Sequence, residues 1–253
     1  MILDEIVART RERLDALPET GTPEEFPAGS VKSLSGAIRS KRRKHAIIAE
    51  IKYASPSGGN IRNFEDPGRL AEMMTRGGAA ALSVLTEPYF FRGDTANIAI
   101  VKKTTDLPVL RKDFIIDMRQ IYESRLLGAD AVLLIAGLLG DRLSSFVAEC
   151  QRFSLEPLVE VRSADEVPLA LGSGTGLIGI NNRDLSTMET CLKTTRIIAE
   201  SIRREHITIV SESGIFWPCD IRYLCRYCDA YLIGSSLMRS ADPVKALEGL
   251  ACA

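Results

Sequence analysis

Residues 46–52 read AIIAEIK, an apolar run that carries two charged side chains, Glu50 and Lys52, towards its end. A short continuous apolar run is typical of a strand that is buried on both faces. Burying an ion in such a strand costs several kcal/mol unless the charge is paired or put to use. Because side chains alternate along a strand, Ile48, Glu50 and Lys52 share one face. The run therefore predicts a buried strand whose C-terminal end presents charge.

The same pattern ends three later apolar runs. Lys112 ends PVLRK, Glu160 lies near the end of EPLVEV, and Glu212 ends ITIVSE. A charge at the C-terminal end of successive strands is how a (β/α)8 barrel, or TIM barrel, presents an active site. The pattern therefore predicts an enzyme before any family is considered.

Eight short apolar runs are predicted as strands, and helical patterns such as MRQIYESRLLGA fill the gaps between them. Strands that alternate with helices indicate βαβ units and a parallel sheet. Eight such units favour closure into a TIM barrel, of the α/β class, over an open sheet. The predicted strands cover residues 46–52, 80–85, 108–112, 130–135, 156–161, 176–181, 207–211 and 229–234.

The charged residues at the strand ends are expected to share the lumen of this barrel. Lys52, Lys112, Glu160 and Glu212 end odd-numbered strands, and one inner layer of a TIM barrel takes its side chains from alternate strands. Two lysines and three glutamates would thus meet in one small volume. There a lysine can act as general acid and a glutamate as general base. A purely structural ion-pair network is the alternative.

Serine and glycine follow the seventh and eighth predicted strands, where TIM barrels often bind phosphate. Ser213-Gly214 comes after the seventh strand, and Gly234-Ser235 lies at the end of the eighth. Glycine lets the backbone approach an anion closely, and serine supplies a hydroxyl group. We therefore expect a phosphate site here, with ordinary turns as the alternative.

Other loops at the same end of the barrel bring further polar and aromatic groups. Asn181 ends the sixth predicted strand, and Ser55 lies in the loop after the first. The loop after the second strand carries Tyr89, Phe90 and Phe91. We interpret these rings as an aromatic wall for a planar substrate, with Phe91 as a substrate-binding residue. A packed core or a lid is the alternative.

Composition limits the partners of the chain. The net charge is -1 and the pI is about 6.2, which argues against general binding to nucleic acid or to anionic membranes. We interpret the basic residues 41–44 as a solvated helix end. The charged N-terminus does not resemble a signal peptide, and no run reaches the roughly 18 apolar residues that a membrane span needs. We expect a cytoplasmic protein, monomeric, with a dimer as the alternative.

Histidines and cysteines offer little for catalysis. His45 and His206 each come just before a predicted strand, on the face of a TIM barrel that serves stability. Cys225 and Cys228 form a CxxC, but a zinc site needs a second pair or histidines at ligand spacing. We interpret them as free thiols, with a redox or zinc role as the alternative. Proton transfer therefore falls to lysine and glutamate, and we expect no metal and no cofactor.

One domain is expected over residues 1–253, close to the about 250 residues of a typical TIM barrel. No linker or shift in composition divides the chain. Residues 1–45 precede the first predicted strand and contain two helical patterns. The first has an apolar stripe that includes Ile2 and Ile6. We therefore expect an N-terminal helical extension before the barrel.

Several motifs, in order from about residue 46 to residue 240, resemble one family. They are EIK followed by ASPS, then LTEPYFFRGD, VLRKDFIID, LVEV, IGINNRDL, SESGI and IGSSLM. This series is similar to indole-3-glycerol phosphate synthase, and VLRKDFIID and GINNRDL are its most specific parts. The resemblance implies a cofactor-free lyase of tryptophan biosynthesis. The substrate implied is 1-(2-carboxyphenylamino)-1-deoxyribulose 5-phosphate, which is decarboxylated and dehydrated to indole-3-glycerol phosphate.

The resemblance also implies roles for the charged residues at the strand ends. Lys112 matches the general acid that protonates the ribulose carbonyl, and Glu160 matches a general base. Lys52 matches a lysine that binds anionic groups of the substrate and takes part in dehydration. Glu50 matches the carboxylate partner of that lysine.

The remaining matches concern substrate binding. Asn181 and Arg183 match positions that orient the substrate and the catalytic groups, and Glu212 and Ser55 match further contacts. The matched phosphate site consists of Ser213, Gly214, Gly234 and Ser235. The chain departs from the usual pattern at Gly58, Arg162 and Ser235, where basic, histidine or other residues are common.

Two other functions are the alternatives. A phosphoribosyl-type isomerase on a similar barrel would use a carboxylate or cysteine acid–base pair and would release no carbon dioxide. The lysine-rich strand ends argue against it. An inactive barrel that only binds or scaffolds would be expected to lack a catalytic lysine or glutamate, and none is missing.

Overall fold

Eight parallel strands form a closed barrel in the computed structural model, which describes residues 2–17, 19–26, 31–41, 45–184, 187–202 and 206–253. The strands are β1 (Ala46–Ile51), β2 (Ala81–Leu85), β3 (Val109–Lys112), β4 (Ala131–Ile135), β5 (Glu156–Val161), β6 (Leu177–Asn181), β7 (Thr208–Glu212) and β8 (Ala230–Ile233). Each strand pairs with the next, and β8 pairs with β1 to close the barrel. The TIM barrel prediction is confirmed, and each predicted strand agrees within one residue at either end.

Helices connect successive strands and also precede the barrel. They are α1 (Ile2–Arg13), α2 (Leu34–Ser40), α3 (Pro67–Arg76), α4 (Pro88–Phe91), α5 (Ala96–Thr104), α6 (Met118–Leu126), α7 (Ala136–Leu139), α8 (Leu143–Arg152), α9 (Val167–Gly172), α10 (Lys193–Ser201), α11 (Pro218–Leu224), α12 (Ser235–Arg239) and α13 (Pro243–Ala251). None of the helices in the described part of the chain is long and apolar enough to cross a membrane.

Capping residues determine where helix α6 begins and ends. Asp117 precedes α6, where its side chain accepts from the amide of Arg119 at 2.9 Å. The side chain of Gln120 accepts from the Asp117 amide at 3.1 Å and completes a capping box. Gly128 follows the helix with φ +88°, the left-handed conformation that glycine adopts at little cost. The chain therefore leaves α6 at Gly128 and begins β4 at Ala131.

Alternation along the strands separates two apolar cores. Ile47 and Ile51 of β1 face the surrounding helices, whereas Ile48 faces the lumen with Leu110 and Leu158. All five side chains are 1% exposed or less. Towards the C-terminal ends of the strands, charged groups replace these apolar lumen residues. The packed apolar side chains of the lumen therefore lie directly beneath the charged groups at the C-terminal end of the barrel.

The two N-terminal helices pack at opposite ends of the barrel. Leu34 and Ile38 of α2 join the lumen core near the start of the strands. Ile2 and Ile6 of α1 line the cavity at the other end. The predicted helical extension is thus present, and its first helix contributes to the mouth of the barrel. Of the basic segment 41–44, residues 42–44 lie outside the described residues.

The histidines and the two CxxC cysteines, for which no catalytic role is expected, lie away from the mouth of the barrel. His45 precedes β1, and its Nε2 lies 3.1 Å from the carbonyl oxygen of Ala253. His206 precedes β7 at the same end of the barrel. Cys225 and Cys228 follow α11 and form no disulfide, and Sγ of Cys228 donates to the carbonyl oxygen of Leu224 at 3.5 Å. Both histidines thus lie at the N-terminal end of the strands, away from the cavity.

Candidate active site

A cavity of about 100 Å³ lies at the C-terminal end of the barrel, where the predicted site residues meet. Every residue that the sequence assigned to the site contributes to its lining. They are Glu50, Lys52, Ser55, Phe91, Lys112, Glu160, Asn181, Arg183, Glu212, Ser213, Gly214, Gly234 and Ser235. The structure therefore brings together residues from seven of the eight strand ends or the loops that follow them.

Lys112 lies between two buried carboxylates. Its Nζ is 3.3 Å from Oε2 of Glu212 and 3.6 Å from Oε2 of Glu160. Burial alone would lower the pKa of Lys112, but the charges of Glu212, Glu160 and Glu50 outweigh burial and raise that pKa above its ordinary value. Lys112 is therefore protonated at neutral pH, the state in which a general acid must begin.

Glu212 is held almost entirely by this ion pair. The residue is 1% exposed, and neither carboxylate oxygen has a hydrogen-bond partner by distance and angle. Burial raises the pKa of Glu212 to about 7; Lys112 opposes this shift and Glu160 adds to it. Gly179 of β6 makes room for the carboxylate, because a Cβ there would collide with Oε1 of Glu212. A glycine inside a strand was the available signal for this role, and sequence reasoning missed it.

Lys52 and Glu50 form the second ion pair of the cavity. Nζ of Lys52 lies 2.6 Å from Oε1 of Glu50, and their side chains are 15% and 3% exposed. A Cβ at Gly234 would collide with the same Glu50 oxygen and approach Cε of Lys52 at 3.0 Å. Gly234, expected only as a phosphate-binding residue, thus also provides the space that this ion pair occupies.

Two charged neighbours of Lys112 anchor the end of β3. Arg111 and Asp113 are 1% and 2% exposed. Nη2 of Arg111 donates to Oδ2 of Asp113 at 3.1 Å, and Nη1 donates to Glu123 of α6 at 2.7 Å. Arg13 of α1 donates to Oδ1 of Asp113 at 3.2 Å. Lys112 therefore enters the cavity from a backbone segment that is fixed on both sides. The sequence did not single out these flanking residues.

Asn181 and Arg183 shape the end of β6. Oδ1 of Asn181 accepts from the backbone amide of Arg183 at 3.0 Å. Nη1 of Arg183 donates to the carbonyl oxygen of Met188 at 2.8 Å. Burial lowers the pKa of Arg183 from its ordinary value, and Glu50 opposes this shift. A half-buried guanidinium beside the cavity is suited to hold a carboxylate.

The loop after β7 has an unusual backbone. Ser213 and Gly214 both have positive φ, +67° and +79°. The hydroxyl of Ser236 donates to the carbonyl oxygen of Ile215 at 3.2 Å and ties this loop to α12. The residues assigned to phosphate binding thus lie side by side on two connected loops.

The apolar wall of the cavity differs from the expected one. Phe91 lines it, at 6.1 Å between ring centroids from Phe114. Tyr89 is 53% exposed and lies under the guanidinium of Arg9, and Phe90 packs against the lumen core. The expected wall of Tyr89, Phe90 and Phe91 is therefore reduced to Phe91. Phe114 and the α1 residues Ile2 and Ile6 were missed, although the apolar stripe of α1 was visible.

Comparison with known proteins gives the family. A family model described as indole-3-glycerol phosphate synthase matches residues 3–250. Proteins of that name from Thermoanaerobacter sp., Geobacillus thermodenitrificans and Methanocaldococcus jannaschii are 42%, 43% and 46% identical to this chain. The alignments cover 96%, 98% and 83% of this chain and 95%, 96% and 79% of those proteins. The chain belongs to the indole-3-glycerol phosphate synthase family.

Solved structures of other proteins share the fold of this family member. Thiamine phosphate pyrophosphorylase from Pyrococcus furiosus superposes with a TM-score of 0.61 at 18% identity, over 83% of this chain and 95% of that one. A geranylgeranylglyceryl phosphate synthase from Thermoplasma acidophilum superposes with a TM-score of 0.60 at 16% identity, over 87% and 97%. At these identities the likeness shows the barrel fold alone.

The raised pKa of Glu212 predicts a pH-dependent stability in this synthase family member. Because the folded protein holds a proton on Glu212 more tightly than the unfolded chain, it binds more protons between about pH 4.5 and 7. The free energy of unfolding should therefore fall as pH rises through that window. Urea unfolding of wild type and Glu212→Gln near both ends of the window measures this. Wild type should lose more stability than the variant, and equal losses would contradict the prediction.

Proposed function

We propose that this cavity is the active site in which the chain closes the indole ring of indole-3-glycerol phosphate. The reaction converts 1-(2-carboxyphenylamino)-1-deoxyribulose 5-phosphate to indole-3-glycerol phosphate, carbon dioxide and water. The observation that carries the proposal is the protonated Lys112, held beside Glu160 and Glu212 in a cavity that also contains the Lys52–Glu50 pair. An acid, a base and an anion-binding cation are the groups that this reaction requires.

Lys112 acts first in the proposed sequence. As the ring carbon that bears the carboxylate attacks the ribulose carbonyl carbon, the ammonium of Lys112 transfers a proton to the carbonyl oxygen. The new hydroxyl group stays on the former carbonyl carbon until the dehydration step. Carbon dioxide then leaves, and the electron pair of its bond restores the aromatic ring. No electron acceptor is needed, since the dearomatised ring takes up those electrons.

Dehydration completes the indole. The hydroxyl group leaves as water after receiving a proton from a lysine, and Glu160 accepts the proton lost from the substrate. Lys52, whose Nζ lies 2.6 Å from Oε1 of Glu50, is proposed to bind an anionic group and to take part in this step. Glu212 contacts Lys112 directly, so we assign it to holding that ammonium.

Substrate binding divides between the two sides of the cavity. Arg183 and Asn181 are proposed to orient the substrate carboxylate, and Phe91 to contact the aromatic ring. Ser55, whose Oγ accepts from the amide of Gly58 at 3.1 Å, lies in the loop over the mouth. The proposed phosphate-binding residues are Ser213, Gly214, Gly234 and Ser235.

One assay tests the proposal. The folded protein is given the carboxyphenylamino-deoxyribulose phosphate, and indole fluorescence and carbon dioxide release are followed together. Equal amounts of both products are expected. Turnover without carbon dioxide would favour an isomerase, and no turnover by folded protein would refute the proposed function.

The assembly and location of the protein stay predictions. We propose a monomer that acts in the cytoplasm on a phosphorylated small molecule, without nucleic acid or membrane partners. The net charge of -1 supports the last point. Light scattering after size-exclusion chromatography measures the assembly.

A further inference from the structure

Asn182 is a buried amide beneath the loop that follows β7. It comes directly after β6 and is 2% exposed. Its side chain does not line the cavity that holds Lys112 and Glu160. Its backbone amide donates to the carbonyl oxygen of Glu212 at 2.9 Å. Asn182 therefore joins the ends of β6 and β7 from outside the lumen.

Every hydrogen-bonding position of the Asn182 side chain is used. Nδ2 donates to Oγ of Ser211 at 3.0 Å and to the carbonyl oxygen of Ser213 at 3.1 Å. Oδ1 accepts from the backbone amide of Thr195 at 3.0 Å and from its hydroxyl at 2.8 Å. A carbonyl can only accept and a backbone amide can only donate, so the orientation of the Asn182 amide is fixed. An aspartate or an aliphatic residue could not make the same set of bonds.

The bond to Ser213 matters because of the backbone conformation there. Ser213 has φ +67°, in the left-handed region that residues with a Cβ adopt at a cost. The next residue, Gly214, also has a positive φ of +79°. A strained conformation persists only when its surroundings hold it. The Asn182 amide holds the carbonyl end of Ser213, and Ser236 holds that of Ile215 at 3.2 Å.

We infer that Asn182 is a positioning residue for phosphate binding, because it keeps Ser213 and Gly214 in the left-handed turn that receives the phosphate. The inference rests on the proposed function, in which both residues contact the phosphate group. Asn182 itself touches neither the substrate nor the catalytic side chains. Its effect should therefore fall on phosphate affinity and spare the chemical step.

Asn182→Ala tests this inference, with Thr195→Val as the matched control. The control removes buried hydrogen bonds from the same network but leaves the bond from Asn182 to Ser213. Asn182→Ala is expected to raise KM about tenfold with kcat within about twofold, the effect of one net hydrogen bond. Thr195→Val is expected to lower the Tm but to leave KM unchanged. A KM unchanged in Asn182→Ala, or raised equally in both variants, would overturn the inference.

A double-mutant cycle with Ser213→Gly separates positioning from general destabilisation. Glycine adopts a positive φ without strain, so the turn depends less on Asn182 in that background. The about tenfold loss caused by Asn182→Ala should therefore shrink to about threefold or less. An undiminished loss would overturn the inference. Asn182→Ser replaces Asn182→Ala in the cycle if the alanine variant does not fold.

Inorganic phosphate provides a readout that does not depend on turnover. Calorimetric titration of wild type, Asn182→Ala and Thr195→Val with phosphate should show weaker binding for Asn182→Ala alone. If phosphate binding is weaker in Asn182→Ala alone but the wild type does not turn over the substrate, the proposed reaction is refuted and the positioning role of Asn182 is retained. Equal binding by all three proteins would overturn the positioning role, whatever the wild-type activity.

Discussion

Lys112→Met should fold and lose at least about 10²-fold in kcat, the low end of what general acid catalysis contributes. Methionine keeps the length and apolar stem of lysine and removes the ammonium. That ammonium is the cation 3.3 Å from Glu212 and 3.6 Å from Glu160. Without it, the substrate carbonyl has no proton donor at this position. Initial rates of indole fluorescence at saturating substrate measure the effect.

Folding of Lys112→Met is expected because the end of β3 does not depend on the ammonium. Arg111 and Asp113 hold the backbone on either side of Lys112. Glu212, which loses its cation, can respond by binding a proton, since burial already raises its pKa. The variant should therefore be less stable above neutral pH than at mildly acidic pH.

Lys102→Met is the matched control for this substitution. Nζ of Lys102 lies 2.6 Å from Oδ2 of Asp130, and their side chains are 18% and 1% exposed. This burial is close to that of Lys112 and Glu212, at 17% and 1%. Asp130 precedes β4, however, at the far end of the barrel from the cavity. Lys102→Met should lose stability and keep its kcat. Near-normal turnover in Lys112→Met would contradict the proposed role of Lys112 as the general acid.

The lumen of the barrel could be predicted because alternation is a local property of each strand. Glu50, Lys112, Glu160 and Glu212 were placed on the inner face from their own neighbours in sequence. Closure of the sheet then had to bring them together, since eight parallel strands leave their C-terminal ends at one mouth. The same reasoning located the serine and glycine loops after β7 and β8.

Contacts between distant segments could not be predicted in this way. Asp113 meets Arg13, which lies 100 residues earlier in the chain. Arg111 and Asp113 flank Lys112 and are both buried, but a sequence pattern does not distinguish a buried charge from an exposed one. The apolar stripe of α1 predicted a buried face, but no local signal said that Ile6 would reach the cavity. These outcomes depend on packing, which needs the whole fold.

The surroundings of Glu212 also could not be predicted from the sequence alone. From the sequence, Glu212 either touched the substrate or held a lysine in place. The structure places it 3.3 Å from Lys112, in space that Gly179 leaves open. Gly179 lies on β6 two residues before Asn181, which is the residue opposite Glu212, and its missing side chain leaves room for the Glu212 carboxylate. Pairs of this kind emerge only from the register of neighbouring strands, in which Gly179 is opposite Val210.

Asp113→Ala is expected to cause a large loss of stability, about 3 kcal/mol or more in the free energy of unfolding, as for other broken buried ion pairs. The carboxylate is fully buried and accepts from four groups. They are Arg111 at 3.1 Å, Arg13 at 3.2 Å, the hydroxyl of Thr86 at 2.6 Å and the amide of Phe114 at 2.8 Å. Alanine would leave these donors buried without their acceptor, which costs more than the bonds themselves contribute.

The pH dependence of this loss follows from the charges around Asp113. Burial alone would raise the pKa of Asp113, but Arg111 and Arg13 outweigh burial and lower that pKa below its ordinary value. Its contribution is therefore complete above about pH 4, the ordinary range of an unfolded aspartate, and is lost as pH falls through the lower folded value. The difference between wild type and Asp113→Ala should be constant near neutral pH and shrink in acid.

Asp106→Ala is the control, because it removes an aspartate from an ion pair at the surface. Oδ1 of Asp106 lies 3.0 Å from Nζ of Lys32, and the Asp106 side chain is fully exposed. Water replaces such a partner at little cost, so this variant should unfold at nearly the same urea concentration as wild type. An equally small change in Asp113→Ala would contradict the view that buried charges anchor the strand end. A large change there would show that the buried charges beside Lys112 stabilise the end of β3.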